Sequence, residues 1–178
     1  LEWFPGRFLI EGDRNDYDYI YTREKLATLA GKKLHGKRNH IARFKDSGDW
    51  SYEPMTAENV EECRTMTYTW IHMREEKWNE EMNQEISVLQ AFDHMQELGL
   101  VGGVLRRDGQ IVAFSIGERL NSETFVVHFE KAYPDLQGAY PMINQQFVLH
   151  ECEGYAYVNR EEDTGDPGLR KAKLSYYP

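Results

Sequence analysis

Cysteine is scarce in this chain. Cys63 and Cys152 are the only two in 178 residues, they lie far apart, and neither belongs to a CxxC pair. A disulfide framework or a structural zinc site is therefore not expected, and two buried free thiols are. The His150-Glu151-Cys152 run and the His35, His40 pair are also short of the ligand count for zinc, so no metal site is expected. Long apolar runs are missing too. The longest uncharged stretch, Leu136–His150, is 15 residues and contains Gln137, Asn144, Gln145 and Gln146, too short and too polar to cross a bilayer. No basic stretch followed by an apolar segment opens the chain, so no secretory signal is visible and a cytoplasmic location is the default expectation. There is no GxSxG, P-loop or GxGxxG motif, no internal repeat and no low-complexity tract. Basic residues are outnumbered, 21 against 30 acids, and the net charge of -9 argues against a general nucleic-acid-binding protein.

What is present fits a folded domain. Hydrophobic residues make up 40%, aromatics 13% and charged residues 29%, and the mean hydropathy is -0.71, which excludes disorder and collagen-like character. The first residue is Leu1 rather than Met, as expected of a trimmed chain. The charge is unevenly spread. Between Lys25 and Lys45 lie seven basic residues, two histidines (His35 and His40) and no acid, so a net of -9 leaves -16 for the remainder. Such a block is either a solvated helical face or a local site for phosphate or another anion.

Periodicity orders the chain. Tyr17–Thr22 (YDYIYT) alternates like a short strand, and the basic block reads as one or two short helices interrupted near Gly31 and Gly36. Trp50–Glu53 reads as a strand closed by Pro54. Thr56 can cap a helix to about Trp78, with Val60, Cys63, Met66, Trp70 and Met73 at steps of three or four. A second helix, about Gln84–Leu98, carries Ile86, Leu89, Phe92 and Met95 on one side and stops at Gly99. The period then becomes two: Val101–Arg107 and Gln110–Arg119 flank an Asp108-Gly109 hairpin turn, and Thr124–Lys131 is a third strand. A loop through Gly138 leads to a helix from about Tyr140 to His150. Tyr155–Asn159 is a strand, and an acidic loop, Glu161–Asp166, precedes a last helix, Leu169–Tyr176.

From Trp50 the order is strand, helix, helix, strand, strand, strand, helix, strand, helix. This resembles the GNAT-like acyltransferase fold of the α+β class, whose central sheet is mixed and mostly antiparallel, flanked by helices. In that fold the strand ending near Lys131 and the strand Tyr155–Asn159 would splay apart to form an acyl-donor cleft. Three stretches sharpen the resemblance: GKKLHGKRNHIARF (Gly31–Phe44), VHFEKAYPDLQGAYPMIN (Val127–Asn144) and YVNREEDTGDPGLRKAKLSYYP (Tyr157–Pro178). Together they look like the bacterial family similar to the C-terminal domain of phosphatidylglycerol lysyltransferase. The resemblance implies residues 50–178 as the GNAT-like domain and residues 1–49 as a linker strand and basic helical segment, the remnant of a preceding GNAT-like half. That half, and one or two strands after the last helix, belong to the family pattern and not to this sequence. The family's membrane-spanning flippase part has no counterpart here either.

The resemblance implies acyl or aminoacyl transfer to an amine or hydroxyl acceptor, with acyl-CoA or aminoacyl-tRNA as co-substrate and no tightly bound cofactor. The acceptor would be a small molecule or a lipid headgroup, and a tRNA acceptor end is a possible partner. Such chemistry needs donor phosphates held by backbone N–H groups, a polarised carbonyl and a nucleophile that loses a proton. Gln137, Gly138, Ala139 and Tyr140 stand where the phosphate loop would be, before a helix N-terminus, although the same residues make an ordinary turn. Glu130 and His128, two apart on one strand, are candidate proton acceptors, Glu130 the better because a carboxylate at that strand end needs a partner, while a hydrogen-bonded histidine in a packed strand is an equal alternative for His128. Across the expected cleft, Arg160 is a candidate for a bidentate phosphate or carboxylate contact and Asn159 for donor binding. Glu161 or Asp163 would take an amino group, unless the loop is merely solvated with its acids capping the last helix. Lys37, Arg38, Arg170, Lys171 and Lys173 are candidates for one anion site. The rival reading is a non-catalytic module of the same fold that binds a phosphate-bearing ligand through its basic segment.

Overall fold

The computed structural model describes residues 3, 6–9, 11–73 and 82–178, with the backbone alone for 82–85. In chain order the strands are β1 (Ile20–Thr22), β2 (Trp50–Pro54), β3 (Val101–Arg107), β4 (Gln110–Arg119), β5 (Thr124–Ala132) and β6 (Tyr157–Asn159). They form one sheet in the order β1-β6-β5-β4-β3-β2, antiparallel throughout except for the parallel β5–β6 pair. The helices are α1 (Arg23–Thr28), α2 (His35–Asp46), α3 (Val60–His72), α4 (Met82–His94), α5 (Ala139–Glu151) and α6 (Pro167–Leu174). This is the mixed α+β architecture expected from the element order.

Local chemistry sets the boundaries. Asp108 and Gly109 take φ of 51° and 82°, the left-handed pair that a two-residue hairpin turn requires. α3 starts at Val60 and not at Thr56, because the Asn59 side chain accepts from the Thr56 N–H (2.7 Å) and donates to the Pro54 carbonyl (3.0 Å), holding residues 56–59 in a turn. The expected continuation of that helix to Trp78 lies outside the described residues. In the basic block the break falls between α1 and α2, where Leu29 turns left-handed (φ 50°), and Gly36 sits within the first turn of α2. The first strand is trimmed to Ile20–Thr22, the three residues that pair with β6.

The central strand β4 is buried almost from end to end because helices cover both faces of the sheet. On one face Leu105, Ala113, Phe125 and Val127 join α1, α2 and α5 through Leu26, Phe44, Met142 and Phe147. On the other, Val104, Phe114 and Ile116 meet Cys63 and Met66 of α3 and Val88 and Phe92 of α4. Each such large side chain contributes about 1.5–3 kcal/mol of burial. Residues 20–46, which the sequence reading sets apart with 1–49, do not form a separate body: β1 is an edge of the same sheet, and α1 and α2 complete the first core. Both cysteines are buried and free, and burial pushes each thiol up to about 12.

Candidate functional site

β5 and β6 pair only over Thr124–Val126 and Tyr157–Asn159. Beyond that point β5 runs on to Ala132 while β6 stops, for a local reason. The Asn159 Oδ1 accepts from the Glu161 N–H at 2.8 Å, and Glu161 itself is left-handed (φ 54°), so the chain turns out of the sheet. The strands therefore part, and two side-chain ion pairs cross the opening.

The first is Glu130 with Arg160, 2.9 Å between Oε1 and Nη2, each side chain 12% exposed. The other oxygen of Glu130 accepts from Asn144 Nδ2 of α5, also at 2.9 Å. The Arg160 guanidinium lies 5.1 Å from the Tyr176 ring centroid and 5.9 Å from that of Tyr21. Burial pushes both phenols above their ordinary range, so both rings are neutral. Polar capacity is left over around this pair. Arg160 Nη1, Asn144 Oδ1 and the Oγ of Ser115, which stands opposite Glu130 on β4, are buried with no hydrogen-bond partner.

The second pair centres on His128. Ile116 pairs with Phe129 and Gly117 with Val127, so His128 is the extra residue of a β-bulge. The two-residue alternation on which the sequence argument rests is interrupted there, and His128 and Glu130 join different networks. The His128 Nδ1 lies 2.7 Å from Glu161 and its Nε2 3.0 Å from Glu118. Only the imidazolium donates from both nitrogens, and the bond to Glu161 leads the effects that raise the His128 pKa. Of the two readings of His128 that the sequence allows, this arrangement is the hydrogen-bonded histidine and not the free proton acceptor. Glu161 is likewise committed to His128, not open to an amino group.

Several other expected site residues have structural work instead. Asp163 is wholly buried and accepts from Tyr19 Oη (2.5 Å), from Arg170 Nε and Nη2 (2.7 Å each) and from the Gly165 N–H (3.0 Å). Arg170 beside it holds its carboxyl well below the usual range, and Arg170 is thereby spent. Lys173 is turned inward onto the carbonyls of Arg160 (2.6 Å), Glu161 and Glu162. Arg38 donates to the carbonyls of Leu29 and Gly31 and closes the end of α1. Asn159 also donates to Asp18 at 2.7 Å. Only Lys171 of the α6 cations stays exposed.

The loop before α5 departs from its expected role as well. Gly138 does permit a close backbone approach, but the partner is α2: a Cβ on Gly138 would stand 2.2 Å from the His40 carbonyl oxygen, and its φ is +88°. The glycine serves helix packing there, with Ala139 buried and Gln137 and Tyr140 exposed beside it.

Three lysines of the basic segment reach the tyrosines that follow α6. Lys37 Nζ stands 4.1 Å from the Tyr176 ring centroid, Lys33 Nζ stands 4.9 Å from that of Tyr177, and Lys25 Nζ donates to the Tyr177 carbonyl at 2.5 Å. Sequence reasoning missed Asn144, Tyr21 and Tyr176. The signal for Asn144 was available, an amide set among Met142, Ile143 and Phe147 on a helix otherwise apolar around it.

Fold and cleft together define a mixed α+β domain with an opening between its two parallel strands. The family model described as Phosphatidylglycerol lysyltransferase, C-terminal, matches residues 3–178, and the chain belongs to that family. A conserved protein of unknown function from Bacteroides thetaiotaomicron is 45% identical, with a TM-score of 0.93 over 99% of this chain and 60% of that one. A curated relative, an uncharacterized protein of Mycoplasmoides gallisepticum, is 25% identical over 100% of this chain and 58% of its own length. The chain thus spans about three fifths of both. The fold is also that of L-PGS from Bacillus licheniformis, TM-score 0.62 at 18% identity over 92% of this chain and 56% of that one. The C-terminal domain of a putative lysylphosphatidylglycerol synthetase from Agrobacterium fabrum shares it too, TM-score 0.65 at 16% identity over 92% and 57%. Among the described residues, no helix is long and apolar enough to cross a membrane.

Proposed function

We propose that this chain is the acyl-transfer domain of its protein, moving an aminoacyl or acyl group from aminoacyl-tRNA or acyl-CoA to an amine or hydroxyl in the opening between β5 and β6. The observation that carries the reading is the Glu130–Arg160 pair, largely buried and set across the one place where parallel strands separate. A carboxylate so placed is aimed by the guanidinium and by Asn144. Each of its oxygens keeps a second lone pair, which can take the proton that the attacking amine or hydroxyl loses. The nucleophile bonds to the acyl carbon, the carbon–oxygen or carbon–sulfur bond to the carrier breaks, and the proton passes on to the leaving hydroxyl or thiol. The acceptor is a small molecule or a lipid headgroup, in keeping with the names of the relatives.

The test is single-turnover transfer with labelled lysyl-tRNA or acetyl-CoA as donors and phosphatidylglycerol vesicles or free amines as acceptors. Glu130→Gln should lower the rate at least about 100-fold with the fold intact. An equal rate in the variant removes Glu130 from the reaction. A second reading is favoured by the saturation of His128: with that histidine spent, the domain binds a phosphate-bearing ligand without turnover. Ligand binding with no transfer from either donor would establish it.

A further inference from the structure

The charges gathered around Tyr176 do not balance. Lys37 from α2 and Arg160 from the turn after β6 both stand against this one ring, at 4.1 and 5.1 Å from its centroid. The carboxylate facing both is Glu130, and it is bonded to Arg160 through Nη2. Among the described residues Lys37 makes its closest contact with the Tyr176 ring and is attracted by Glu130 from a distance, while Arg160 reaches Glu130 and the Tyr176 side chain and keeps Nη1 buried without an acceptor of ordinary geometry. Lys173 adds a third cation behind Arg160, held by backbone carbonyls and faced by Glu161 and Glu162. Burying excess positive charge is costly unless an anion meets it, and this excess sits in a protein whose net charge is -9. Burial first, and then the neighbouring Arg160, already weaken the hold of Lys37 on its proton.

We infer that Lys37 and Arg160 form a two-point site for a single oxyanion, the phosphate or carboxylate group of the substrate, beside the Tyr176 ring. The two charges share one ring, at 4.1 and 5.1 Å from its centroid, and one oxyanion can bridge two cationic nitrogens up to about 8 Å apart with hydrogen bonds of ordinary length. Half-buried Lys37 is the solvent-side member and Arg160 the inner one. An anion held there lies next to Glu130, so the site would orient a charged substrate against the proton acceptor. This deepens the transfer reading and rests on its premise that the opening between β5 and β6 admits substrate. It also differs from the anion site expected from the sequence, since Arg38, Arg170 and Lys173 are withdrawn into other bonds.

Binding is measured without any acyl donor, by NMR titration of the protein with inorganic phosphate and, separately, acetate. One saturable site should appear, with shifts at Lys37, Arg160 and Tyr176. Lys37→Met should weaken it at least tenfold, Lys37→Arg should restore most of the affinity, and Lys171→Met on exposed α6 should change it less than twofold. Stronger binding of phosphate marks a phosphate-bearing substrate, and stronger binding of acetate a carboxylate, either of which supports the site. Equal weakening by Lys37→Met and Lys171→Met, or no saturable shift at residues 37 and 160 in the folded wild-type protein, overturns it. Anion binding that persists while transfer is absent would sink the transfer reading alone. Transfer that persists in a protein that binds neither anion would sink this one alone.

Discussion

Two arginines that follow β6 pair with carboxylates, Arg160 with Glu130 of β5 and Arg170 with Asp163, and the two pairs are built in opposite ways. Around Asp163 each carboxylate oxygen is matched, by Tyr19, Arg170 and the Gly165 N–H, and Arg170 reaches on to Asn15 at 2.7 Å. This network ties the N-terminal turn Arg14–Asp16, the loop after β6 and α6 into one unit. Around Glu130 the pairing is incomplete: Arg160 Nη1, Asn144 Oδ1 and Ser115 Oγ are left over, and Lys37 adds a second cation facing the same carboxylate. Buried polar groups are ordinarily satisfied, so the difference separates a joint from a site. The same residue types do both, and only their partners tell them apart.

The comparison can be broken at several points. The largest effect is expected from Asp163→Ala, which leaves Arg170 and Tyr19 facing an empty place in the joint. Chemical denaturation should show the greatest loss of stability of any change named here. Because the folded Asp163 holds its proton less tightly than an unfolded aspartate, this stabilisation is complete above about pH 4 and is lost as the pH falls below it. An acid titration of wild type against Asp163→Asn should show the wild-type advantage shrinking in that range. Next comes Glu130→Gln, which should leave a folded protein and remove transfer, the reverse pattern to Asp163.

Gly138→Ala should cost about 2–4 kcal/mol in denaturant unfolding, since it forces a left-handed alanine against the His40 carbonyl. A loss of ligand affinity with no loss of stability would return this loop to a phosphate-binding role. The smallest effect is that of His128. Its folded pKa is raised by Glu161 and Glu118, so its contribution is complete below the ordinary value of about 6.5 and fades as the pH climbs through the higher folded value. Thermal melts from pH 6 to 9 should show wild type losing about 1 kcal/mol relative to His128→Gln, one hydrogen bond's worth.

Much of the frame was legible in the residues. The Asp108-Gly109 turn, the apolar spacing of Cys63, Met66 and Trp70, and the switch to period two after Gly99 place the hairpin and both faces of the sheet. The pairing of Glu130 with Arg160 was half legible, since both were marked as candidates on opposite walls. What stayed hidden is what depends on chain-distant partners. Nothing local distinguishes Asp163, bonded to Tyr19, from a solvated acid in a run of acids. Nor does spacing locate the bulge at His128, because the unbroken apolar run Phe125–Val127 hides where the alternation shifts. Lys173 and Arg38 read as surface cations until backbone carbonyls are found around them.

The incompletely paired cluster is proposed to do the chemistry while the saturated one holds the fold together. Rate of transfer per folded molecule, measured for Glu130→Gln and Asp163→Asn at a temperature below both unfolding midpoints, tests it directly. Glu130→Gln should be folded and at least about 100-fold slower, and Asp163→Asn less stable but near the wild-type rate per folded molecule. A folded, fully active Glu130→Gln beside an inactive but stable Asp163→Asn would contradict it.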